Sequence, residues 1–194
     1  MPSNIQTLIH SNINNCIEVL KSGGVILYPT DTVWGLGCDA TNEEAVKKIF
    51  EIKQRSDAKS LITLVSSDAM LQKYVEEVPD LAWDIIDLAT KPTTIIYPKG
   101  KNLASNALAS DGSIGIRMIK NEFCSQLVHK FNKPIISTSA NISGETTPSR
   151  LTEVYEDIKS KCDFIVDSQF DNGNSQPSSI LKIEINGEIK IIRN

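Results

Sequence analysis

The chain has 194 residues, of which 40% are hydrophobic and 23% charged, so it is long enough to fold as one domain with a substantial core. Its net charge of −4 and pI near 5.3 argue against attraction of the whole molecule to nucleic acid by bulk charge. With 2 histidines and 4 scattered cysteines, the sequence argues against catalytic triads and against metal sites built from His and Cys. Unpaired cysteines, no signal peptide and no apolar run of roughly 20 residues predict a cytoplasmic protein without a membrane partner.

Hydrophobic periodicity and turn residues predict helices that alternate with strands. The predicted helices are 11–22, a helix that begins at Thr41, 79–89, 121–131 and a helix near 151–158. The predicted strands are 25–28, 61–65, 93–97, 113–118, 135–137, 164–167, 180–185 and 188–192. Because both helices and a tight hairpin join these strands, the pattern predicts an α/β fold with a mixed parallel and antiparallel sheet and helices packed against it.

Local signals set some of these boundaries. Gly23 and Gly24 are typical of a helix C-terminus. Thr41 and Glu44 have the spacing of a capping box, which predicts that Thr41 caps the second helix. The Asn186–Gly187 pair predicts a tight turn, and therefore a hairpin near the end of the chain.

Basic residues gather between the second helix and the strand that follows it: Lys47, Lys48, Lys53, Arg55 and Lys59. Cations at a helix C-terminus interact favourably with its dipole, by about 0.3–1 kcal/mol, and this is an ordinary explanation for Lys53 and Arg55. Lys59 lies beyond the helix, and clustered cations repel one another unless an anion lies between them. Lysine and arginine are the side chains that hold phosphate groups, so a phosphate site and an ordinary helix end are both open here.

Two segments rich in hydroxyls and amides lie beside predicted strands. Ser137–Gly144 (STSANISG) continues from the strand at 135–137, and Gln176–Ser179 (QPSS) precedes the strand at 180–185. Loops of small residues with exposed N–H groups form anion-binding concavities and let a ligand approach the backbone closely. Ordinary turn chemistry explains either segment alone, whereas two such segments together with the basic cluster favour a binding site.

Gly35–Ala40 fits the G-x-G-x-x-A pattern of dinucleotide-binding sites. In that motif the glycines open a helix directly, so that a pyrophosphate lies at the helix N-terminus. Here the predicted helix begins at Thr41, after the motif has ended, and we therefore do not expect a Rossmann site. The chain contains no G-x-x-x-x-G-K-[ST] motif, which argues against a P-loop ATPase.

The order of the polar segments makes the chain resemble the YrdC-like threonylcarbamoyl-AMP synthase family over nearly its whole length. The matching segments are Tyr28–Gly37 (YPTDTVWGLG), Lys53-x-Arg55 with Lys59, Gly115–Arg117 (GIR), Ser139–Gly144 (SANISG) and Pro177–Ile180 (PSSI). The resemblance implies a twisted mixed sheet with flanking helices around a concave, basic cavity. It also implies the short form of the family, with a single domain over residues 1–194 and no C-terminal extension domain.

The resemblance further implies the reaction of a nucleotidyltransferase. L-threonine, bicarbonate and ATP give threonylcarbamoyl-AMP and pyrophosphate, and a downstream tRNA threonylcarbamoyl transferase uses the product to modify the adenosine beside the anticodon. Mg²⁺ is expected to enter with ATP through the phosphates, and no protein ligand of the metal is implied. Attack of a carbamate on the α-phosphate needs positioning and charge neutralisation more than a proton-shuttling histidine, which suits this chain.

Roles follow for the residues that match the family's motifs. The expected catalytic residues are Lys53 and Arg55. The expected ATP-binding residues are Lys53, Arg55, Lys59, Ser139, Asn141 and Arg193. The expected threonine-binding residues are Thr32, Arg117, Ser137, Ser178 and Ser179. Arg117 suits the carboxylate of threonine because a guanidinium group can bind both carboxylate oxygens.

The chain departs from the family's pattern at four places. Trp34 stands where Tyr is usual, and Leu64 stands where many members have a His near threonine. Lys91–Thr94 (KPTT) replaces a commoner G-P-[LT]-T element, and Ser179 replaces a Thr while keeping a hydroxyl.

Two alternatives to the synthase remain. One is a non-catalytic paralogue that binds double-stranded RNA through the same basic cavity, and the other is a related carbamoyl-adenylate-forming enzyme. The acidic pI and the intact set of nucleotide residues favour the synthase. Direct contact with tRNA is left open.

Overall fold

The structure is a computed structural model that describes residues 2–54, 61–171, 173 and 176–194. The strands are β1 (Ile26–Pro29), β2 (Trp34–Asp39), β3 (Ile62–Val65), β4 (Thr93–Tyr97), β5 (Ile114–Met118), β6 (Ile135–Ser139), β7 (Phe164–Ile165), β8 (Ser179–Ile183) and β9 (Ile189–Arg193). The α-helices are α1 (Pro2–Lys21), α2 (Glu43–Ile52), α3 (Asp68–Tyr74), α4 (Asp80–Leu88), α5 (Glu122–Phe131) and α6 (Glu156–Lys159). Single 3₁₀ turns lie at Ser105–Ala107, Leu151–Glu153 and Ser168–Phe170.

Within these described ranges, nine strands form one sheet in the order β7-β1-β2-β6-β3-β5-β4-β8-β9. The pairs β1–β7, β3–β5 and β4–β8 are parallel. The pairs β1–β2, β2–β6, β3–β6, β4–β5 and β8–β9 are antiparallel. The mixed sheet and its flanking helices, predicted from the sequence, are confirmed.

Most predicted elements are present, and the differences have physical reasons. The segment 34–39, for which no strand was predicted, forms strand β2, and Gly35 and Gly37 of the dinucleotide-like pattern lie inside it, as expected for a pattern that opens no helix. The predicted capping box at Thr41 is wrong by one residue. Asn42 caps α2 by accepting a hydrogen bond from the Ala45 N–H, because Asp39 engages the N–H and hydroxyl of Thr41.

The helices differ from the prediction in two further places. Helix α3 was not predicted, and Ser67 caps it by accepting a hydrogen bond from the Met70 N–H. The predicted helix near 151–158 is broken into a 3₁₀ turn at Leu151–Glu153 and the short helix α6. The carboxylate of Glu153 accepts hydrogen bonds from the N–H groups of Ser149 and Arg150, which caps the start of the 3₁₀ turn. The extended backbone at Val154 and Tyr155 then separates this turn from α6.

The apolar core has two parts, which pack against different strands of the sheet. The larger part packs α1, α2 and α5 against β1, β2, β3 and β6. The smaller part packs α3 and α4 against the outward faces of β4 and β5, where Ile95, Ile114 and Ile116 are buried. Because strand side chains alternate, Gly115 and Arg117 face the opposite side of β5, away from this second cluster. No helix in the described part of the chain is long and apolar enough to cross a membrane.

Candidate functional site

A cavity of about 300 Å³ lies over the middle of the sheet. Its walls come from the β1–β2 connection, from strands β2 to β6, and from the segments around β8 and β9. The predicted site residues in its lining are Thr32, Arg117, Ser137, Ser139, Ser178 and Arg193. Side chains that are far apart in the sequence therefore meet at one place, as a shared binding site requires.

The loop between β1 and β2 is held by the hydroxyl of Thr30. Its Oγ1 donates to the carbonyl of Val33 at 2.7 Å and accepts from the N–H groups of Thr32 and Val33, each at 3.1 Å. The hydroxyls of Thr30 and Thr32 lie 2.9 Å apart. This turn fixes Thr32, which is 4% exposed, at the edge of the cavity.

The floor of the cavity is formed where β2 pairs with β6. The register places Gly35 opposite Ser139 and Gly37 opposite Ser137. A Cβ atom at Gly35 would lie 3.2 Å from the Thr138 carbonyl and 3.3 Å from the Ser137 hydroxyl oxygen, so glycine leaves this polar floor open. Residues 135–139 form a strand that runs two residues further than predicted, and this presents Ser137 and Ser139 to the cavity on one face.

Arg117 lies in the wall of the cavity and is 3% exposed. Its Nη2 atom is 3.0 Å from Oδ1 of Asp31, and its buried Nε–H has no hydrogen-bond partner among the residues that the structure describes. Burial raises the pKa of Asp31 from its ordinary value, and the positive charge of Arg117 opposes that rise. An unsatisfied buried N–H costs about 1–3 kcal/mol, which makes this wall a favourable place for an anion.

The opposite wall joins β4, the segment before β8, and β9. The hydroxyls of Thr94 and Ser178 lie 2.9 Å apart, and both side chains are buried. Arg193 donates through Nε to the Ser178 carbonyl at 2.9 Å and through Nη2 to its hydroxyl at 3.4 Å. Partial burial and the positive charge of Arg117 lower the pKa of Arg193, so the two guanidinium groups repel one another across the cavity.

Lys53 is 2% exposed and is not among the described residues that line this cavity. Its ammonium group donates to the carbonyls of Ser139 at 2.5 Å and Asn141 at 2.7 Å. The Ser143 N–H in turn donates to the Lys53 carbonyl at 3.2 Å. Lys53 therefore ties the end of α2 to the loop that follows β6.

Asn141 lies beside this loop, 7% exposed, and lines a smaller cavity of about 180 Å³. Its amide donates to the carbonyls of Ile142 and Glu145, and no residue in the described ranges donates a hydrogen bond to its buried Oδ1 atom. Thr147 lines both this cavity and the larger one, so the two spaces adjoin.

The remaining predicted residues lie elsewhere or outside the described part of the chain. Ser179 is in β8, where its N–H donates to the Pro92 carbonyl, and it does not line the cavity. Arg55 and Lys59 lie outside the described residues. Leu64 is fully buried and is the register partner of Arg117 in the sheet, so no polar side chain replaces the expected histidine at that position.

Other lining residues were missed from the sequence: Thr30, Gly35, Thr94, Gly115, Thr138, Thr147 and Pro177. Thr94 carried a usable signal, because it closes the KPTT element that departs from the family's pattern, and here it contacts Ser178. The indole of Trp34, which stands where Tyr is usual, donates to the carboxylate of Asp171. That contact fixes the start of the segment that leads to Ser178.

The described lining combines the guanidinium groups of Arg117 and Arg193 with several hydroxyls and contains no Asp or Glu. In the residues that the structure describes, no group of three or more His, Cys, Asp or Glu side chains could hold a metal ion. Such a lining suits a small, polar anion better than a cation, and it offers no histidine for proton transfer.

Comparison with known proteins identifies the family. The Sua5/YciO/YrdC family model, described as telomere recombination, matches residues 18–194. The chain belongs to the Sua5/YciO/YrdC family. A threonylcarbamoyl-AMP synthase of Pseudoalteromonas translucida is 36% identical over 182 residues, which cover 92% of this chain and 96% of that protein.

Solved structures of the Sua5/YciO/YrdC family agree with this assignment. The chain is similar to Sua5 of Pyrococcus abyssi in complex with L-threonine, with a TM-score of 0.77 and 29% identity, over 88% of this chain and 50% of that one. It thus spans half the length of that Sua5 chain. It is also similar to YciO of Escherichia coli, with a TM-score of 0.81 and 25% identity, over 94% of this chain and 88% of that one.

Proposed function

We propose that this protein is a threonylcarbamoyl-AMP synthase, a nucleotidyltransferase that converts L-threonine, bicarbonate and ATP into threonylcarbamoyl-AMP and pyrophosphate. The observation that carries the proposal is the convergence of Thr32, Arg117, Ser137, Ser178 and Arg193 on one cavity. Relatives that are themselves named threonylcarbamoyl-AMP synthase support it. The complex of Pyrococcus abyssi Sua5 with L-threonine supports threonine as the substrate.

Threonine would lie at the end of the cavity where Arg117 forms the wall. Its carboxylate would be held by the guanidinium group, and the hydroxyls of Thr32, Ser137 and Ser178 would contact its polar atoms. Ser179 would act through the backbone of β8, since it does not line the cavity. A small amino acid fits because Gly35 leaves space above the polar floor, and because the side chains of Thr32, Arg117 and Ser178 in the walls are buried.

The nucleotide would lie toward the loop that follows β6. Ser139 and Asn141 would contact it, and Arg193 would balance part of the phosphate charge from the opposite wall. Lys53 would support this end by fixing the backbone of Ser139 and Asn141, to whose carbonyls it donates. Arg55 and Lys59 are proposed as phosphate ligands on the sequence pattern alone.

In the reaction, the amine of threonine and bicarbonate combine to a carbamate with loss of water. A carbamate oxygen then attacks the α-phosphorus, a new P–O bond forms, and the bond to the pyrophosphate leaving group breaks. The protein's contribution is to align the two substrates and to neutralise charge, and both follow from fixed cations and hydroxyls. Mg²⁺ would enter as the MgATP substrate, because the described lining offers arginines and hydroxyls rather than carboxylate ligands.

The product would pass to a tRNA threonylcarbamoyl transferase, in the cytoplasm where ATP and tRNA are present. We propose no direct contact with tRNA or double-stranded RNA for the reaction itself, because the described lining fits small anions.

The test is to incubate the protein with ATP, L-threonine and labelled bicarbonate and to measure pyrophosphate and the labelled adenylate. The proposal predicts pyrophosphate release that needs all three substrates. Release that is equally fast without threonine would contradict it. Binding of double-stranded RNA without pyrophosphate release would instead support the RNA-binding paralogue.

A further inference from the structure

The ion pair between Asp31 and Arg117 is one of the most enclosed charge pairs among the described residues. The side chain of Arg117 is 4% exposed and that of Asp31 is 16% exposed, and 3.0 Å separates Nη2 from Oδ1. Enclosing a carboxylate removes part of its hydration at a cost in free energy, and the adjacent positive charge of Arg117 offsets part of that cost.

Asp31 does not line the proposed substrate cavity. It lies between Thr30 and Thr32, whose side chains do line that cavity, and its own side chain lines a second cavity of about 300 Å³ beside α4 and β4. Arg117 lines the first cavity. The ion pair with Arg117 therefore connects Asp31 to the substrate cavity.

The described part of the chain places few other restraints on the orientation of Arg117. Its register partner in β3 is Leu64, which is apolar and fully buried, and no described residue accepts a hydrogen bond from the Arg117 Nε–H. Arg193 lies across the cavity and its positive charge repels the guanidinium group. The Asp31 carboxylate attracts the guanidinium group of Arg117. The hydrogen bonds of the Thr30 hydroxyl hold the turn in which Asp31 lies.

We propose that Asp31 is a positioning residue, which holds the guanidinium group of Arg117 in the orientation that binds the carboxylate of threonine. The inference rests on the proposed function. Without Asp31, the guanidinium group could rotate about its side-chain torsions, and threonine binding would have to fix it again. The nucleotide end of the cavity, built on Ser139 and Arg193, would be unaffected.

The test compares the steady-state kinetics of the wild type with those of Asp31→Asn and Asp31→Glu. Asp31→Asn keeps the shape of the side chain and removes its charge, and we expect the KM for threonine to rise about 10- to 100-fold, the loss of one charge-assisted interaction. The KM for ATP is expected to stay within about twofold. Asp31→Glu, which restores the charge, should fall between Asp31→Asn and the wild type.

A double variant tests whether Asp31 acts through Arg117. If it does, Arg117→Ala with Asp31→Asn will bind threonine no more weakly than Arg117→Ala alone, because the two effects are not additive. Additive losses would overturn the proposal.

Asp39→Asn is the matched control. Asp39 is a buried carboxylate, 4% exposed, that pairs with Lys133 at 2.7 Å and lies outside the lining of the cavity. The Asp39→Asn variant should have a lower melting temperature than the wild type and an unchanged KM for threonine. If Asp39→Asn and Asp31→Asn raise that KM equally, the role of Asp31 is merely structural and the proposal is wrong.

Two results separate this inference from the proposed function. If the wild type releases no threonine-dependent pyrophosphate and binds no threonine by calorimetry, the proposed function fails, and the inference fails with it. If the wild type is active and folded Asp31→Asn has an unchanged KM for threonine, the inference alone is overturned. Should Asp31→Asn not fold, Asp31→Glu decides: an unchanged KM for threonine, or equal rises for threonine and ATP, contradicts the proposal.

Discussion

The two arginines of the cavity are held in opposite ways. Arg117 lies on the interior strand β5, is 3% exposed and pairs with the half-buried carboxylate of Asp31. Arg193 lies at the end of the edge strand β9, is exposed, and donates to the carbonyl and hydroxyl of Ser178. One wall of the site is therefore rigid and costly to disturb, whereas the other can adjust when a ligand enters. A fixed wall suits a small substrate that must be aligned, and an adjustable wall suits a larger, flexible one.

Arg117→Ala should have the largest effect, because it acts on both stability and binding. It removes the guanidinium partner of the half-buried Asp31 carboxylate, and we expect a loss of about 3–5 kcal/mol in the free energy of unfolding. Synthase activity at low threonine should fall by at least about 100-fold. Urea denaturation and initial rates measure the two losses. A stable variant with normal threonine dependence would contradict the description of the rigid wall.

Lys53→Met tests how the loop after β6 is held. Methionine keeps most of the side-chain volume but loses the hydrogen bonds to the carbonyls of Ser139 and Asn141. Each charge-assisted bond contributes about 1.5–3 kcal/mol, and the buried apolar methionine offsets part of the loss of two such bonds, so we expect the free energy of unfolding to fall by about 2–4 kcal/mol. We expect the KM for ATP to rise more than that for threonine. Unchanged stability with lost activity would instead indicate that Lys53 contacts phosphate directly.

Arg193→Ala should be mild for the fold and selective for function. An exposed arginine on an edge strand contributes little to stability, so the melting temperature should change by no more than about 2 °C. The KM for ATP is expected to rise about tenfold, the loss of one phosphate contact, while the KM for threonine stays nearly constant. A selective rise in the KM for threonine would reverse the assignment of the two walls.

The pH dependence of stability should show the smallest effect, at a surface carboxylate that serves as a reference for Asp31. Hydrogen bonds from the hydroxyl and N–H of Ser105 lower the pKa of Glu43. Its contribution is therefore present above the ordinary pKa of a glutamate and is lost as the pH falls through the lowered value.

Asp31 should behave in the opposite sense, because burial raises its pKa. Its ionised form becomes more costly in the folded state as the pH rises from the ordinary aspartate pKa to the raised one. Denaturation curves of Glu43→Gln and Asp31→Asn between pH 3 and about 6 should thus differ from the wild type with opposite slopes. Parallel slopes would contradict these environments.

The sequence predicted helices and strands well where one hydrophobic periodicity dominates the segment. Strands β4 and β5 and helix α5 follow from apolar patterns, and the predicted start of α5 at residue 121 falls on its N-cap, Asn121. Strand β2 was missed because Gly35 and Gly37 suggest a loop. A Cβ atom at Gly37 would lie 2.7 Å from a ring carbon of Tyr28, so the strand needs glycine there for a tertiary reason that no local pattern shows.

For the candidate site too, local patterns predicted some residues, while contacts between distant segments could not be predicted. Thr32, Ser137, Ser139 and Ser178 were predicted through motifs, and the structure brings them to one cavity. The pairing of Asp31 with Arg117 joins segments far apart in the chain, and residue types alone do not specify it. The burial of Lys53 was also not predictable, because a lysine at a helix end is usually solvated.

The most direct test of the central claim is hydrogen exchange measured with L-threonine and α,β-methylene ATP, an analogue that cannot release pyrophosphate. If separate segments form one site, peptides covering β5, β6 and the start of β8 should all gain protection when both ligands are present. Threonine alone should protect the β5 peptide most, through Arg117. Protection confined to one of these segments, or found only at α3 and α4, would contradict a single shared cavity.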